Sequence, residues 1–313
     1  MTTTDRRGAT GAPAGPGDDR IEPPTLLPSG IPRPVLVEAV ARSLAEDYGR
    51  GDLTSEVCIP AHARGKAFLV AREEVVLAGL GVAREVFAQV DPEVRFELAV
   101  QDGTLVTPGS VCAQVSGRTR SLLAGERVAL NFLQRMTGVA TLTRRYVDAL
   151  PPGSTTRVVD TRKTTPGLRA FERYAVRCGG GFNHREDLGA AVLIKDNHVA
   201  AAGGVREAVR RARRMAPHTT RIECEVDDLE QLDRALEAGA DVVLLDNFDD
   251  DQVREAVRRR GARPVILEVS GGVALGRLPF LGTSGVDVVS VGALTHSAPA
   301  ADLGLDWAPR DPG

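Results

Sequence analysis

From residue 156 to residue 292 the chain keeps a single beat: a short apolar run, then a longer amphipathic one. The apolar runs are TRVVDT, AAVLIKD, RIECEV, DVVLLDN, PVILEVS and VDVVSVG. Between the later ones lie VREAVRRARRMA, LEQLDRALEAGA and DQVREAVRRRG. The first set reads as strands and the second as helices, because apolar side chains recur in the helices by threes and fours. Strands that are apolar throughout must be covered on both faces, the condition of a parallel sheet clothed by crossover helices. One strand–helix unit about every two dozen residues is the mark of βαβ construction. Six such strands, with room for a seventh, predict an α/β barrel that need not be complete. A doubly wound open sheet is the alternative.

The first half has another texture. Residues 1–30 are rich in Gly, Ala, Pro, Thr and Asp and are expected to form a disordered tail. PVLVEAVARSLAEDYG has helical spacing, with Val37, Val40, Leu44 and Tyr48 on one side. GKAFLVA, EVVLAG, VRFELAV and VCAQVSG read as strands, the last two separated by the turn-rich QDGTLVTPGS. An antiparallel unit with a helix or two fits residues 31–150. It ends in a long helix, SLLAGERVALNFLQRMTGVATLTRRYVDAL. There Ala129, Phe132, Met136, Val139, Thr143, Tyr146 and Leu150 advance by threes and fours until PPG stops the pattern.

Charge and composition exclude several functions. The formal net charge is −3 and aromatics make up 4%. Neither a broad positive field for nucleic acid or membrane nor a stacking platform for single strands is available. Cys58, Cys112, Cys178 and Cys224 are far apart, with no C-x-x-C pair, and read as reduced thiols of a cytosolic protein. No apolar run reaches membrane-spanning length, and MTTTDRRGATGAP lacks the apolar core of a signal peptide. All but three of the 39 basic residues are arginine; the lysines are Lys66, Lys163 and Lys195. A lysine in such a chain marks a place where a compact point charge serves better than a planar fork.

The polar residues of the second half gather at strand ends. Lys163 follows the first strand, and Lys195 and Asp196 end the second. Glu223 and Glu225 lie in the third, and Asp246 and Asn247 end the fourth. Ser270, Gly271 and Gly272 end the fifth, and Gly292 ends the sixth. Ligands bind at the carboxyl ends of strands in such folds. The predicted rim is cationic in its early part (Arg162, Lys163, His184, Arg185, Lys195), anionic in its middle (Glu225, Asp246) and glycine-rich at its end. A ligand matching all three carries carboxylates or a pyrophosphate, a polyol such as ribose, and a terminal phosphate. Mg²⁺ suits such acids and phosphates. The runs RRARR and RRRG instead lie on helices and read as solvated faces.

Several of these segments resemble a known family. LNFLQRMTGVAT, DTRKTTPGLR, CGGGFNHR, LIKDNH, LLDNF, EVSGGV and SVGALTHS, in this order, are similar to the motifs of quinolinate phosphoribosyltransferases. The likeness runs from about residue 34 to the end and includes GRGDLTSE. It implies an N-terminal α/β sandwich domain packed on an open, incomplete α/β barrel. The barrel would span residues 151–292, with segment 293–313 returning to the sandwich. It also implies the reaction of quinolinate with phosphoribosyl pyrophosphate and Mg²⁺ to give nicotinate mononucleotide, pyrophosphate and carbon dioxide, on the de novo route to NAD.

By this resemblance Arg127, Arg162, His184, Arg185 and Lys195 line the quinolinate pocket, and Lys163 lies between the two substrates. Glu225 and Asp246 face the ribose or Mg²⁺, and the backbone at Ser270, Gly271, Gly272 and Gly292 takes the 5-phosphate. Glu223 and Glu225 are taken to face opposite ways, and the family pattern selects Glu225. Arg127 sits on the long helix, and its family counterpart reaches a neighbouring subunit's site, which implies at least a homodimer. Ala190 stands where the family has an aspartate, and Arg173 where lysine is common. His198 either orients the loop after Lys195 or is an ordinary loop residue; His296 follows the phosphate-type turn. Three alternatives stay open: a phosphoribosyltransferase-like paralogue associated with molybdate transport, a Schiff-base aldolase using Lys163 or Lys195, and a non-catalytic anion-binding module.

Overall fold

Six parallel strands form the larger sheet of the computed structural model, which describes residues 30–308; all but the last residue of the tail expected over residues 1–30 lies outside them. Five strands precede these six: β1 (Arg64–Ala71), β2 (Val75–Val76), β3 (Arg95–Leu98), β4 (Leu105–Val106) and β5 (Val111–Arg118). The six are β6 (Arg157–Val159), β7 (Val192–Ile194), β8 (Ile222–Val226), β9 (Val242–Asp246), β10 (Ile266–Ser270) and β11 (Val288–Ser290). A last strand, β12 (Leu303–Trp307), follows. The order in the large sheet is β6-β11-β10-β9-β8-β7. Sequential strands lie side by side, and the last returns to the first, with Val288 opposite Arg157 and Ser290 opposite Val159. That is the order of a barrel; a doubly wound sheet instead reverses direction beside its first strand. β6 and β7 are the two ends of that order and do not pair; among the described residues β6 is edged on that side only by a bridge from Val159 to Phe182, ten residues before β7, so the barrel is open there.

The helices follow in chain order: α1 (Arg33–Tyr48), α2 (Leu53–Cys58), α3 (Leu80–Val90), α4 (Thr119–Asp148), α5 (Arg169–Cys178), α6 (Asp196–Ala202), α7 (Val205–Met215), α8 (Leu229–Ala238), α9 (Asp250–Arg260), α10 (Leu278–Ser284) and α11 (Ala293–His296). The arginine runs of α7 and α9 end their helices, where positive charge suits the carbonyl end of the dipole. The opposite faces bury Val205, Ala208 and Val209 on α7 and Val253 and Ala256 on α9.

The smaller layer is a four-stranded sheet in the order β12-β1-β5-β3, all antiparallel. Its edge strand β12 comes from the end of the chain. Two details depart from the sequence reading. The run EVVLAG yields only the two residues of β2, which pair with β4 inside the segment read as a turn. Leu77 and Ala78 are already buried, and Gly79 starts α3 at a φ of 107°, so the strand has no room to continue. On α1 the buried register is Leu36 and Val40 with Leu44 partly covered, and Tyr48 is 46% exposed.

The long helix α4 joins the two layers. Ala129, Phe132, Met136, Val139, Thr143 and Tyr146 are buried as their spacing predicts, and so are Leu122, Val128 and Leu133. Phe132 stacks obliquely on Phe171 of α5 with centroids 5.2 Å apart. One turn beyond, Gly138 lets the backbone at Pro299 cross the helix; a Cβ there would collide with the Pro299 carbonyl oxygen. We predict that Gly138→Ala costs about 1–3 kcal/mol, the usual penalty of overpacking. Its thermal midpoint would fall with an unchanged circular dichroism spectrum. An unchanged midpoint would show that residues 299–300 shift without cost.

Candidate active site

Strand alternation builds a cavity of about 380 Å³ at the carboxyl ends of the barrel strands. Successive residues point to opposite faces, so one parity enters the barrel and the other meets the helices. On β9 the inward pair is Leu244 and Asp246, and Val243 and Leu245 are buried outside. Parallel register sets Leu244 beside Glu225 of β8 and Glu268 of β10, and Asp246 beside Ser270 one layer higher. Arg162, Lys163, His184, Arg185, Lys195, Glu225, Asp246, Ser270 and Gly271 all line the cavity.

One end of this cavity is strongly cationic. The Nε atoms of Arg162 and Arg185 are buried and have no hydrogen-bond partner among the described residues. Burial holds the Arg185 pKa below its ordinary value, and the neighbouring Arg162 guanidinium adds to the effect. Arg185 spends one N–H on the carbonyl of Ala191 at 3.0 Å. Two guanidiniums so placed offer bidentate forks to a dianion.

At the other end the charges are paired. Lys195 Nζ lies 2.6 Å from Glu225 Oε2, and the Lys195 side chain is 47% exposed. Its backbone N–H donates to His198 Nδ1 at 2.9 Å, so His198 fixes the turn that presents the lysine. Asp246 accepts from the side-chain amide of Asn247 at 2.8 Å. Asn247 is the only non-glycine with positive φ among the described residues, and Gly271, at φ 89°, packs against it; a Cβ on Gly271 would strike the Asn247 amide. Gly292 faces the Lys163 side chain and the His296 ring, while Gly272 and Gly292 stand outside the cavity lining.

In the cavity wall His184 belongs to a cluster whose third member, Glu268, the sequence reading missed. His184 Nε2 sits 3.2 Å from Glu223 Oε2 and 3.5 Å from Glu268 Oε2. Glu223 and Glu225 therefore face the same way, contrary to expectation: residues two apart on a strand share a face, and Cys224 takes the other. Glu268 stands within PVILEVS, an acid two residues before Ser270 in an otherwise apolar run, and that parity is the signal that could have revealed it. Burial alone would lower the His184 pKa, but hydrogen bonds to Glu223 and Glu268 reverse this and push it up to about 10. The Arg185 N–H, 2.7 Å from Nδ1, favours a neutral ring. The two carboxylates attract a second proton to the ring by charge, and at Nδ1 that proton would displace the Arg185 N–H. The three side chains are also close enough to hold a metal ion. The hydrogen on Nε2 occupies the position a metal would need.

Asp160, fully buried, fixes the backbone of this segment. It accepts from the His184 N–H at 2.7 Å and the Asn183 amide at 2.6 Å, and Arg173 lies 3.4 Å away. Arg173 also donates to the His184 carbonyl at 2.8 Å, which gives this residue a bracing task. Ala190 is exposed.

Two family models match. The quinolinate phosphoribosyl transferase N-terminal domain fits residues 52–137 and its C-terminal domain residues 139–306. The chain belongs to the quinolinate phosphoribosyltransferase family. Its relatives include the nicotinate-nucleotide pyrophosphorylase (carboxylating) of Mycobacterium leprae, 44% identical over 274 residues, 86% of this chain and 96% of that protein. The probable enzyme of the same name from Bacillus subtilis is 44% identical over 83% of this chain and 89% of its own length. The nicotinate-nucleotide pyrophosphorylase structure from Francisella tularensis superposes with a TM-score of 0.84 at 39% identity, covering 89% of this chain and 98% of that one.

In this quinolinate phosphoribosyltransferase fold Arg127 does not meet the other candidate residues. It is exposed on α4, outside the cavity lining. The raised His184 pKa generates a prediction. A group whose folded pKa exceeds its unfolded value stabilises fully below the unfolded value and loses that contribution as pH climbs through the folded one. The His184 contribution is thus complete below pH 6.5 and gone above about 10. The thermal midpoint of the wild type should fall across that window, and less steeply in Glu268→Gln. Parallel slopes for the two proteins would show that the ring is not charged by this pair.

Proposed function

We propose that the chain transfers phosphoribosyl from phosphoribosyl pyrophosphate to the ring nitrogen of quinolinate, with loss of carbon dioxide. The products are nicotinate mononucleotide, pyrophosphate and carbon dioxide, in de novo NAD biosynthesis. The observation that carries this reading is the Arg162–Arg185 pair, with buried and unpartnered Nε atoms, lining one cavity together with Lys195, the acids Glu225 and Asp246, and Gly271. Quinolinate is a dicarboxylate, and two forks plus Lys195 match it by charge-assisted bonds. His184 commits Nε2 to the two glutamates, so it contributes charge to the pocket wall more than a free donor.

Lys163, exposed at the start of its loop, is placed to hold the departing pyrophosphate. As the C1–oxygen bond of the sugar breaks, positive charge grows on the ribose ring, and the carboxylates of Glu225 and Asp246 stabilise it. The backbone near Ser270, Gly271, Gly272 and Gly292 takes the 5-phosphate. Once the ring nitrogen carries the sugar, its positive charge accommodates the electron pair left at the adjacent carbon when carbon dioxide departs, and a proton from water then fills that position. No protein nucleophile is required; orientation and fixed charge do the catalysis. Mg²⁺ fits the donor set: Glu225 and Asp246 are hard oxygen ligands, and two carboxylates completed by water and phosphate suit this ion. When bound it would neutralise charge on the pyrophosphate.

A Schiff-base aldolase is disfavoured because Lys163 is exposed and Lys195 is half exposed and ion-paired; neither sits in a dry pocket. Incubating the purified protein with quinolinate, phosphoribosyl pyrophosphate and Mg²⁺ should release carbon dioxide and nicotinate mononucleotide in equal amounts. Lys195→Arg should raise the KM for quinolinate by at least about tenfold despite the kept charge. Failure to form the mononucleotide from these substrates would remove the reading.

The functional unit is a homodimer with shared sites, in which Arg127 of each chain serves its neighbour. Its exposure on α4, away from its own cavity, supports this. Arg127→Ala should be inactive with an unchanged thermal midpoint. Mixed with Lys163→Ala under subunit exchange, it should regain about a quarter of wild-type activity, since half the dimers then hold one intact site. No recovery after complete exchange would sink the shared site.

A further inference from the structure

Arg135 of α4 belongs to the smaller layer by sequence position, does not line the cavity, and yet reaches two loops that form its rim. Its Nε and Nη2 donate to Glu172 Oε1 of α5 at 3.0 and 2.7 Å. Nη1 donates to the Ala298 carbonyl at 2.9 Å, and Nη2 also donates to the Thr295 carbonyl. Glu172, with no exposed surface, passes the restraint on. It accepts from the N–H of Thr165 at 3.0 Å and from the Thr165 hydroxyl at 2.7 Å. Thr165 stands two residues after Lys163. From the other side the Thr295 hydroxyl donates to the Lys163 carbonyl at 2.7 Å and lies 3.2 Å from the Gly292 carbonyl. The Lys163 loop and the Gly292 turn are thus tied to one guanidinium by two separate routes.

We infer that Arg135 is a positioning residue for the phosphoribosyl pyrophosphate half of the site: it sets the spacing between Lys163 and the Gly292 turn from outside the cavity. Only a planar fork with several donors can serve a carboxylate and two carbonyls at once; an ammonium offers the same charge from a single point. Near the reacting groups, a shift of about 1 Å costs on the order of a hundredfold in rate. Of the quinolinate contacts only Arg162 shares the braced loop, while Arg185 and Lys195 lie on other segments, so quinolinate depends less on this brace. The inference rests on Lys163 serving the pyrophosphate, as proposed above.

The test compares Arg135→Lys, Thr295→Val and Lys163→Ala with the wild type by steady-state kinetics in both substrates and by thermal melting. Arg135→Lys keeps the charge opposite Glu172 and loses the fork; Thr295→Val removes only the hydroxyl that holds Lys163. Both should lower kcat/KM for phosphoribosyl pyrophosphate by at least about tenfold, with the KM for quinolinate changed less than about threefold. The double variant should lose less than the product of the two single losses, because both routes start from the Arg135 guanidinium. A lowered melting point with unchanged constants in both single variants would make the network merely structural and overturn the inference. If Lys163→Ala alone loses phosphoribosyl pyrophosphate handling, only the inference falls. If Lys163→Ala keeps it too, the role of Lys163 falls as well.

Discussion

The pairing of β11 with β6 is the contact on which the site depends. Three residues of each strand meet, and through them the last strand of the barrel returns to the first. Without that return the loop after β6, with Arg162 and Lys163, and the turn after β11, with Gly292, would stand at opposite edges of an open sheet. With it they touch, Gly292 lying against the Lys163 side chain. Parallel register then fixes height as well as direction: Glu225, Leu244 and Glu268 share one layer, and Asp246 and Ser270 the next. A ring of strand tips can therefore collect groups from residues 161 to 292 around one small volume.

Burying that much charge is costly, and the structure meets the cost by pairing. Asp160, Glu172, Glu223 and Glu268 are all buried, and each faces a cation: Arg173, Arg135 or His184. Such pairs add little net stability against apolar residues of equal size, though breaking one leaves an uncompensated ion at about 3–5 kcal/mol. Their use is geometric, since each holds a segment that carries a rim residue. In the cavity wall, Arg162 and Arg185 keep buried Nε atoms with no partner among the described residues, as do Glu268 at Oε1 and Ser290 at its hydroxyl. Polar atoms are left unmatched there, where a ligand is to supply the complement.

The barrel was legible because its strands and helices obey two distinct periods, and the rim because polar residues end apolar runs at the same relative place. What escaped the sequence did so for identifiable reasons. Glu223 was turned outward by a parity error, although the strand period places it with Glu225. Glu268 is camouflaged by the apolar residues on either side, and only its register with Ser270 marks it. The segment around β4 reads as a turn by its Gly and Pro, yet two of its residues pair with a strand cut short by α3. Arg135 carries no local mark: its partners lie 30 to 163 residues away, and no pattern on one helix announces them. Arg127 is singled out through family motifs alone, for a lone exposed helix arginine has no chemistry of its own to read.

The open place between β6 and β7 has a mechanical meaning. A hoop laced all round resists any change in girth, because widening it strains every lacing together. This hoop has a seam: β6 is edged there only by the bridge from Val159 to Phe182, and the stretch from Phe182 to β7, with His184 and Arg185, spans the gap. Girth can therefore change at that seam without undoing the lacing of the five paired strand edges.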